Sequence, residues 1–352
     1  MKNPRRVLIV DDSPTMRRLI RSGIEREPRL QVVGEAGSAR DARELVKQLQ
    51  PDILTLDVEM PGMDGLEFLR RLMKARPMPV VMVSSLTREG SDLALQALSH
   101  GALDCVEKPR FGEASRTFSR LTSMLVELAD AVPGRRPRLD PVHHEKNSDA
   151  RHAWNGKTVL MGASTGGVEA LETVFRAFPS DCPPTLVTQH MPAEFLSRFA
   201  ARLNSMIAPT VRLARHGDKL QQGEILIAPG GAHHMGLDAQ FGMNTTLKAG
   251  EKRSGHRPSV DELFLSAAPH AERIVAALLT GMGQDGARGL LELRLNGAKT
   301  FAQDEATCVV YGMPRVAAEL GGVERSVPIH GLAPALLAAT AEKNESMDLP
   351  NA

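Results

Sequence analysis

Short apolar runs alternate with amphipathic stretches over the first 130 residues. Strands are expected at 7–10, 32–35, 53–57, 79–84 and 102–106, each a short, largely aliphatic block. Between them apolar positions recur three or four apart, which predicts helices near 14–27, 38–49, 64–75, 89–100 and 112–131. In the last of these, Phe118, Leu121, Leu125 and Leu128 share one face. Strand–helix alternation of this kind predicts a (βα)5 doubly wound α/β domain. In such a sheet, ligands gather at the carboxyl ends of the strands.

The pattern stops at Pro133. Residues 133–152 carry three prolines and almost no large apolar side chain, so they read as an exposed linker. Strand-like runs resume at 158–162, 185–189, 211–214, 225–228, 274–280 and 299–302. Helices are expected at 166–178, 193–205, 259–268, 286–295 and 333–342. Turn-punctuated runs around 233–249 predict an antiparallel hairpin. The second half is therefore read as another α/β domain with a mainly parallel sheet. The expected organisation is a first domain over 1–132, a linker over 133–152, a second domain over 153–345 and a tail over 346–352.

Composition narrows the class. A chain of 352 residues fits about two domains. With 43 Lys+Arg against 42 Asp+Glu, there is no charge excess to support a nucleic-acid surface or a polybasic membrane anchor. One Trp and one Tyr leave little for stacking on single-stranded bases. Cys105, Cys182 and Cys308 are far apart and form no C-x-x-C pair. That argues against zinc ribbons and disulfide scaffolds, and for a reducing compartment. The N-terminus lacks a signal-peptide pattern and no apolar run is long enough to cross a bilayer, so a cytoplasmic protein without membrane insertion is expected.

Chemistry concentrates at the expected strand ends. Asp11 and Asp12 follow the first strand, Asp57 ends the third, Ser84 closes the fourth and Lys108 follows the fifth. Any one of these acids suits a solvated loop start. Together they would place three carboxylates at one sheet edge, a charge that a hard divalent cation such as Mg²⁺ would neutralise. One carboxylate can then attack a phosphoryl group while a lysine and a hydroxyl hold its oxygens. The segments V-L-I-V-D-D, L-D-V-E-M-P-G-M-D-G, M-V-S-S and E-K-P stand in this order, and residues 5–130 resemble the receiver domain of two-component response regulators. The resemblance implies Asp57 as phosphoacceptor, with Asp11, Asp12 and Asp57 serving Mg²⁺. It also implies Ser84 and Lys108 as phosphoryl-binding groups, and a histidine kinase as phosphodonor. Receivers usually carry an aromatic switch residue three positions before this lysine. Here that place is Cys105, so the usual aromatic switch is missing.

In the second half, Gly162-Ala163-Ser164-Thr165-Gly166-Gly167 links a strand to a helix. Such a turn can cradle a phosphate or raise a serine as a nucleophile elbow, G-x-S-x-G. Neither G-x-G-x-x-G nor G-K-S is present, which favours the elbow. His190 ends the next strand, and Asp285 lies just past the apolar strand I-V-A-A-L-L-T. Singly they read as a polar strand terminus and a helix N-cap. With Ser164 they make a serine, a histidine and an aspartate at three strand ends, as a hydrolytic triad requires. Their chain order differs from that of α/β-hydrolases.

G-A-S-T-G-G, Q-H-M-P, A-P-G-G-A-H, H-R-P-S-V-D, T-G-M-G-Q-D-G and the later Q-D segment resemble the catalytic domain of chemotaxis protein-glutamate methylesterases, across about residues 155–342. The resemblance implies Ser164 as nucleophile, His190 as general base and Asp285 as its orienting acid. Backbone amides of Thr165 and Met282 are the oxyanion candidates. It also implies removal of methyl groups from chemoreceptor glutamate methyl esters, deamidation of receptor glutamines, and no cofactor in this half. The receiver would act as a phosphorylation-released lid, and a monomer is expected. His233, His234 and His256 fit no zinc spacing and read as rim or core residues. Other classes stay open: a phosphorylation-controlled binding module with an unused esterase site, a DNA-directed regulator, or a nucleotide-binding output at 162–167.

Overall fold

The structure, a computed structural model, describes residues 3–60, 65–84, 88–108, 114–129, 152–238 and 243–342. The chain divides into two compact units, Met1–Leu139 and Asp140–Ala352. That division falls inside the expected linker. Residues 133–151 of the linker, and the expected tail, lie outside the described residues.

The first unit runs β1 (Arg5–Val10), α1 (Pro14–Ile24), β2 (Leu30–Ala36), α2 (Ala39–Leu49), β3 (Ile53–Asp57), α3 (Gly65–Ala75), β4 (Val80–Ser84), α4 (Arg88–Ser99), β5 (Asp104–Glu107) and α5 (Ala114–Leu128). Its sheet has the order β2-β1-β3-β4-β5, and every pairing is parallel. β3 and β4 are buried along their whole length, as continuous aliphatic strands covered on both faces should be. Local chemistry sets the helix starts. Ser13 accepts from the Met16 N–H with Pro14 in the first turn, and Ser38 accepts from the Asp41 N–H. Phe118, Leu121, Leu125 and Leu128 are buried on α5 as expected. β1 and β3 are neighbours that send the chain in opposite directions, so Asp11 and Asp57 end at one switch point.

The second unit runs β6 (Thr158–Ala163), α6 (Gly167–Phe175), β7 (Thr185–Gln189), α7 (Ala193–Met206), β8 (Thr210–Leu213), β9 (Glu224–Ile227), β10 (His233–Asp238), β11 (Asn244–Ala249), α8 (Val260–Ala267), β12 (Ile274–Leu278), α9 (Ala287–Leu295), β13 (Lys299–Gln303), α10 (Met313–Glu319), β14 (Arg325–Val327) and α11 (Ile329–Ala339). Seven strands form a parallel sheet in the order β14-β13-β12-β6-β7-β9-β8. β10 and β11 form the expected antiparallel pair. Its Met235 and Leu237 enter a core with Val260, Leu263 and Phe264 of α8.

Several of the described elements depart from the sequence reading. α10 and β14 are absent from it, being a seven-residue helix and a three-residue edge strand whose first two positions are exposed. α11 starts four residues earlier than expected. Pro334 lies inside the helix, and Ile329 and Leu332 ahead of it are buried. Among the described residues, no helix is long and apolar enough to cross a membrane.

Candidate active site

In the first unit the expected residues meet. Asp11 and Asp57 are buried and Asp12 is exposed, and one carboxylate oxygen from each lies within 4.8 Å of the others. Lys108 Nζ is 2.7 Å from Asp57 Oδ2 and 3.2 Å from Asp11 Oδ2. Backbone amides hold the other oxygens: the Ser13 N–H donates to Asp11 Oδ1 and the Glu59 N–H to Asp57 Oδ1. Burial pushes the Asp57 carboxyl up to about 6, against the pull of Lys108. Burial also works against charge on Lys108, but Asp57 and Asp11 outweigh it and raise its pKa.

Ser84 is buried at the end of β4, and its carbonyl accepts from the Lys108 N–H at 2.8 Å, which ties those two residues together. Cys105 is buried in β5 beside Met82 of β4, and burial raises its thiol pKa. One contributor was not foreseen. Arg17 donates to the carbonyls of Asp11 and Asp12 at 2.7 and 3.1 Å, fixing the loop that carries both acids.

In the second unit β6 lies between β12 and β7, so Ser164, Asp285 and His190 follow three adjacent strands. Main-chain bonds lock the three turns together. The Ser164 N–H donates to the Thr280 carbonyl at 3.0 Å, and the His190 N–H donates to the Ala163 carbonyl at 3.1 Å. Gly166 adopts φ +78° and N-caps α6, completing a sharp strand-to-helix turn under Ser164. Gly281 approaches so closely that an added Cβ would lie 2.7 Å from Ser164 Cβ, which brings the loop bearing Met282 against the serine. Thr165 is buried, and its carbonyl accepts from Thr280 Oγ1 at 3.0 Å.

His190 and Asp285 are buried and joined, Nε2 to Oδ2, at 2.7 Å. Burial alone would raise the Asp285 carboxyl, but His190, the Val260 N–H and Ser259 together hold it below the usual carboxylate range. A carboxylate at Asp285 can only accept, so in this bond His190 Nε2 serves as the donor. His190 Nδ1 is buried without a hydrogen-bond partner, a costly state unless a substrate or catalytic hydroxyl uses it.

The alternative reading of Asp285 as cap of its own helix does not hold. Gly286 N-caps α9. Asp285 instead receives the N-terminus of α8: the Val260 N–H at 2.7 Å, the Asp261 N–H at 3.2 Å and Ser259 Oγ at 2.8 Å. Ser259 was missed as a site residue. Its signal is the S-V-D-E capping pattern, Ser259 with Glu262 three residues on, which marks the start of α8.

The three other histidines separate. His233 is exposed. His234 is buried, with Nε2 2.8 Å from the Glu251 carbonyl and Nδ1 accepting from the Ser259 N–H at 3.2 Å. His256 stacks face to face on His190, a contact the sequence reading did not foresee.

Fold and sites define a class: an α/β unit with clustered acids and a lysine at its strand ends, in one chain with an α/β unit bearing serine, histidine and aspartate at one sheet edge. Sequence comparison agrees. The CheB methylesterase family matches residues 159–336, and the response regulator receiver domain matches residues 7–115. The chain belongs to the CheB methylesterase family. It is 49% identical over 348 residues to a protein-glutamate methylesterase/protein-glutamine glutaminase of Agrobacterium fabrum, covering 97% of this chain and 99% of that one. It is 47% identical over 341 residues to a like-named protein of Caulobacter vibrioides, covering 94% and 97%. The crystal structure of the Thermotoga maritima CheB methylesterase catalytic domain is similar at TM-score 0.50 and 36% identity, covering 52% of this chain and 98% of that one.

Proposed function

We propose that this chain is a phosphorylation-controlled, cytoplasmic protein-glutamate methylesterase and protein-glutamine glutaminase acting on chemoreceptors. The observation that carries this reading is the bond from His190 Nε2 to Asp285 at 2.7 Å, with Nδ1 buried and bare and the His190 N–H bonded to the Ala163 carbonyl next to Ser164. His190 Nδ1 takes the Ser164 hydroxyl proton as Oγ attacks the γ-carbonyl of a receptor glutamate methyl ester. Asp285 stabilises the imidazolium that forms. The Thr165 and Met282 amides receive the developing oxyanion. His190 returns its proton to the departing methoxide and methanol leaves. Water, deprotonated by His190, then attacks the acyl-enzyme, and His190 returns that proton to Ser164 Oγ as glutamate is released. A glutamine side chain follows the same course with ammonia as the leaving group.

Control lies in the first unit. Asp57 accepts the phosphoryl group from a histidine kinase, while Lys108 and Ser84 hold the phosphoryl oxygens. The all-oxygen donor set of Asp11, Asp12 and Asp57 suits Mg²⁺, and these are the residues that would hold it. When bound, such an ion neutralises the charge that gathers during phosphoryl transfer. Without it, Lys108 already offsets part of the acidic charge through its two carboxylate contacts.

The test is methanol release from methylated receptor membranes, with and without a small-molecule phosphodonor. Wild type should release methanol faster with the phosphodonor, and Ser164→Ala should release none. Retained activity in Ser164→Ala would remove the nucleophile assignment.

A further inference from the structure

His190 is held through its ring by one hydrogen bond, at Nε2. Beyond that bond, the ring can still turn about its Cβ–Cγ bond, a motion that displaces Nδ1 further than Nε2. The reactive nitrogen, Nδ1, lies across the ring and has no partner to stop that rotation. A base that must meet a serine hydroxyl needs its ring plane fixed as well. The second restraint is His256. Its ring lies on His190 with centroids 3.7 Å apart and an interplanar angle of 4°.

We propose that His256 is a positioning residue that sets the plane of His190 and so aims Nδ1 at Ser164. This rests on the triad reading given above and adds to it the residue that orients the base. The stack is itself anchored. Arg253 and His256 exchange two main-chain hydrogen bonds of 3.0 and 2.9 Å, and the Arg253 guanidinium pairs with Glu262 of α8 at 2.6 Å. Next to the stack, Arg257 donates to the Gly231 and Gly250 carbonyls, both at 2.6 Å. The same short segment then supplies Ser259, Val260 and Asp261 to Asp285. Residues 256–261 thus hold the base by its face and the acid by its oxygens, so the two cannot drift apart independently.

The role predicts a pattern that general destabilisation would not produce. The experiment compares wild type, His256→Ala, His256→Phe, His256→Gln and Ser164→Ala as full chains, by methanol-release kinetics and thermal unfolding. His256→Ala should lower kcat by about ten- to a hundredfold with KM within roughly twofold, the scale of a misplaced catalytic group. His256→Phe keeps a flat ring and should recover most of kcat. His256→Gln keeps polarity without a ring and should not. Should His256→Ala fail to fold, the Phe and Gln pair carries the same comparison. Wild-type kcat in His256→Ala alongside an inactive Ser164→Ala would overturn the proposal and leave the triad intact. A Phe variant no better than Gln would also overturn it. An active Ser164→Ala would remove the triad reading and the proposal with it.

Discussion

Asp285 and Asp261 cap one another's helices. Asp285, just ahead of α9, receives the Val260 and Asp261 amides at the start of α8. Asp261, in the first turn of α8, receives the Gly289 N–H in the first turn of α9 at 2.8 Å. Each side chain sits at the N-terminus of the other's helix and takes up orphan amides there, which at Asp285 help to hold its charge. The acid behind His190 is therefore set by two helices packed side by side. Tolerance to substitution should follow this arrangement.

Ser259 joins the capping of α8 to the placement of Asp285, because its Oγ donates to Oδ1 and also accepts from the Glu262 N–H. Ser259→Ala should cost about 1–2 kcal/mol of stability, the usual value of a lost cap. It should also lower kcat severalfold with little change in KM, because in the proposed mechanism the lost bond stabilises a carboxylate that acts in the transition state. Urea unfolding and methanol-release kinetics on one preparation check both. An unchanged kcat would show that the two backbone amides suffice to hold Asp285.

Gly166 is where the serine turn tolerates no side chain. Its φ is +78°, and an added Cβ would lie 2.6 Å from Val309 Cβ. Gly166→Ala should therefore lose about 1–2 kcal/mol or more and displace Ser164, with a larger fall in activity than in stability. Labelling of Ser164 by a small serine-directed phosphonate reports the displacement directly. Wild-type labelling by the variant would refute it.

The proposed control site centres on Asp57 and Lys108. Asp57→Asn should leave basal methanol release near wild type and remove the increase produced by a small-molecule phosphodonor. Phosphorylation measured on the intact protein should fall in parallel. An undiminished response would place the phosphoacceptor elsewhere.

Much of this was legible in the chain, and the gaps have physical causes. The (βα)5 unit, the second parallel sheet, the β10–β11 pair and the coming together of Asp11, Asp57 and Lys108 follow from alternation and strand-end chemistry. Those are local patterns joined by one topological rule. The partners of Asp285 are not local. Ser259 and Val260 lie some 25 residues back in the chain, as the separations of their bonds to Asp285 record, and only the packing of α8 beside α9 makes them neighbours. The stack of His256 on His190 was hidden for the same reason: spacing carries no information about which ring lies on which. α10 and β14 went unread because three to seven residues are too few to establish a period.

Asp261 allows a pH test with a definite sign. It is buried at 3% exposure, and burial, reinforced by the nearby Asp285 charge, raises its carboxyl above the ordinary 3.8 despite the Gly289 amide. The folded chain then holds this proton more tightly than the unfolded chain. Its contribution to stability is complete below the ordinary value and is lost as pH rises through the folded value. Asp261→Asn keeps an oxygen for Gly289 and has no charge to bury, so it should lack that slope. Urea unfolding of the full chain from pH 4 to 7 should therefore show the wild type losing stability relative to Asp261→Asn as pH increases. Asp261→Ala, which removes the acceptor as well, should be the least stable of the three at every pH. Parallel curves for wild type and Asp261→Asn would mean that the proton on Asp261 is not linked to folding, and that the two helices are held by the amide bonds alone.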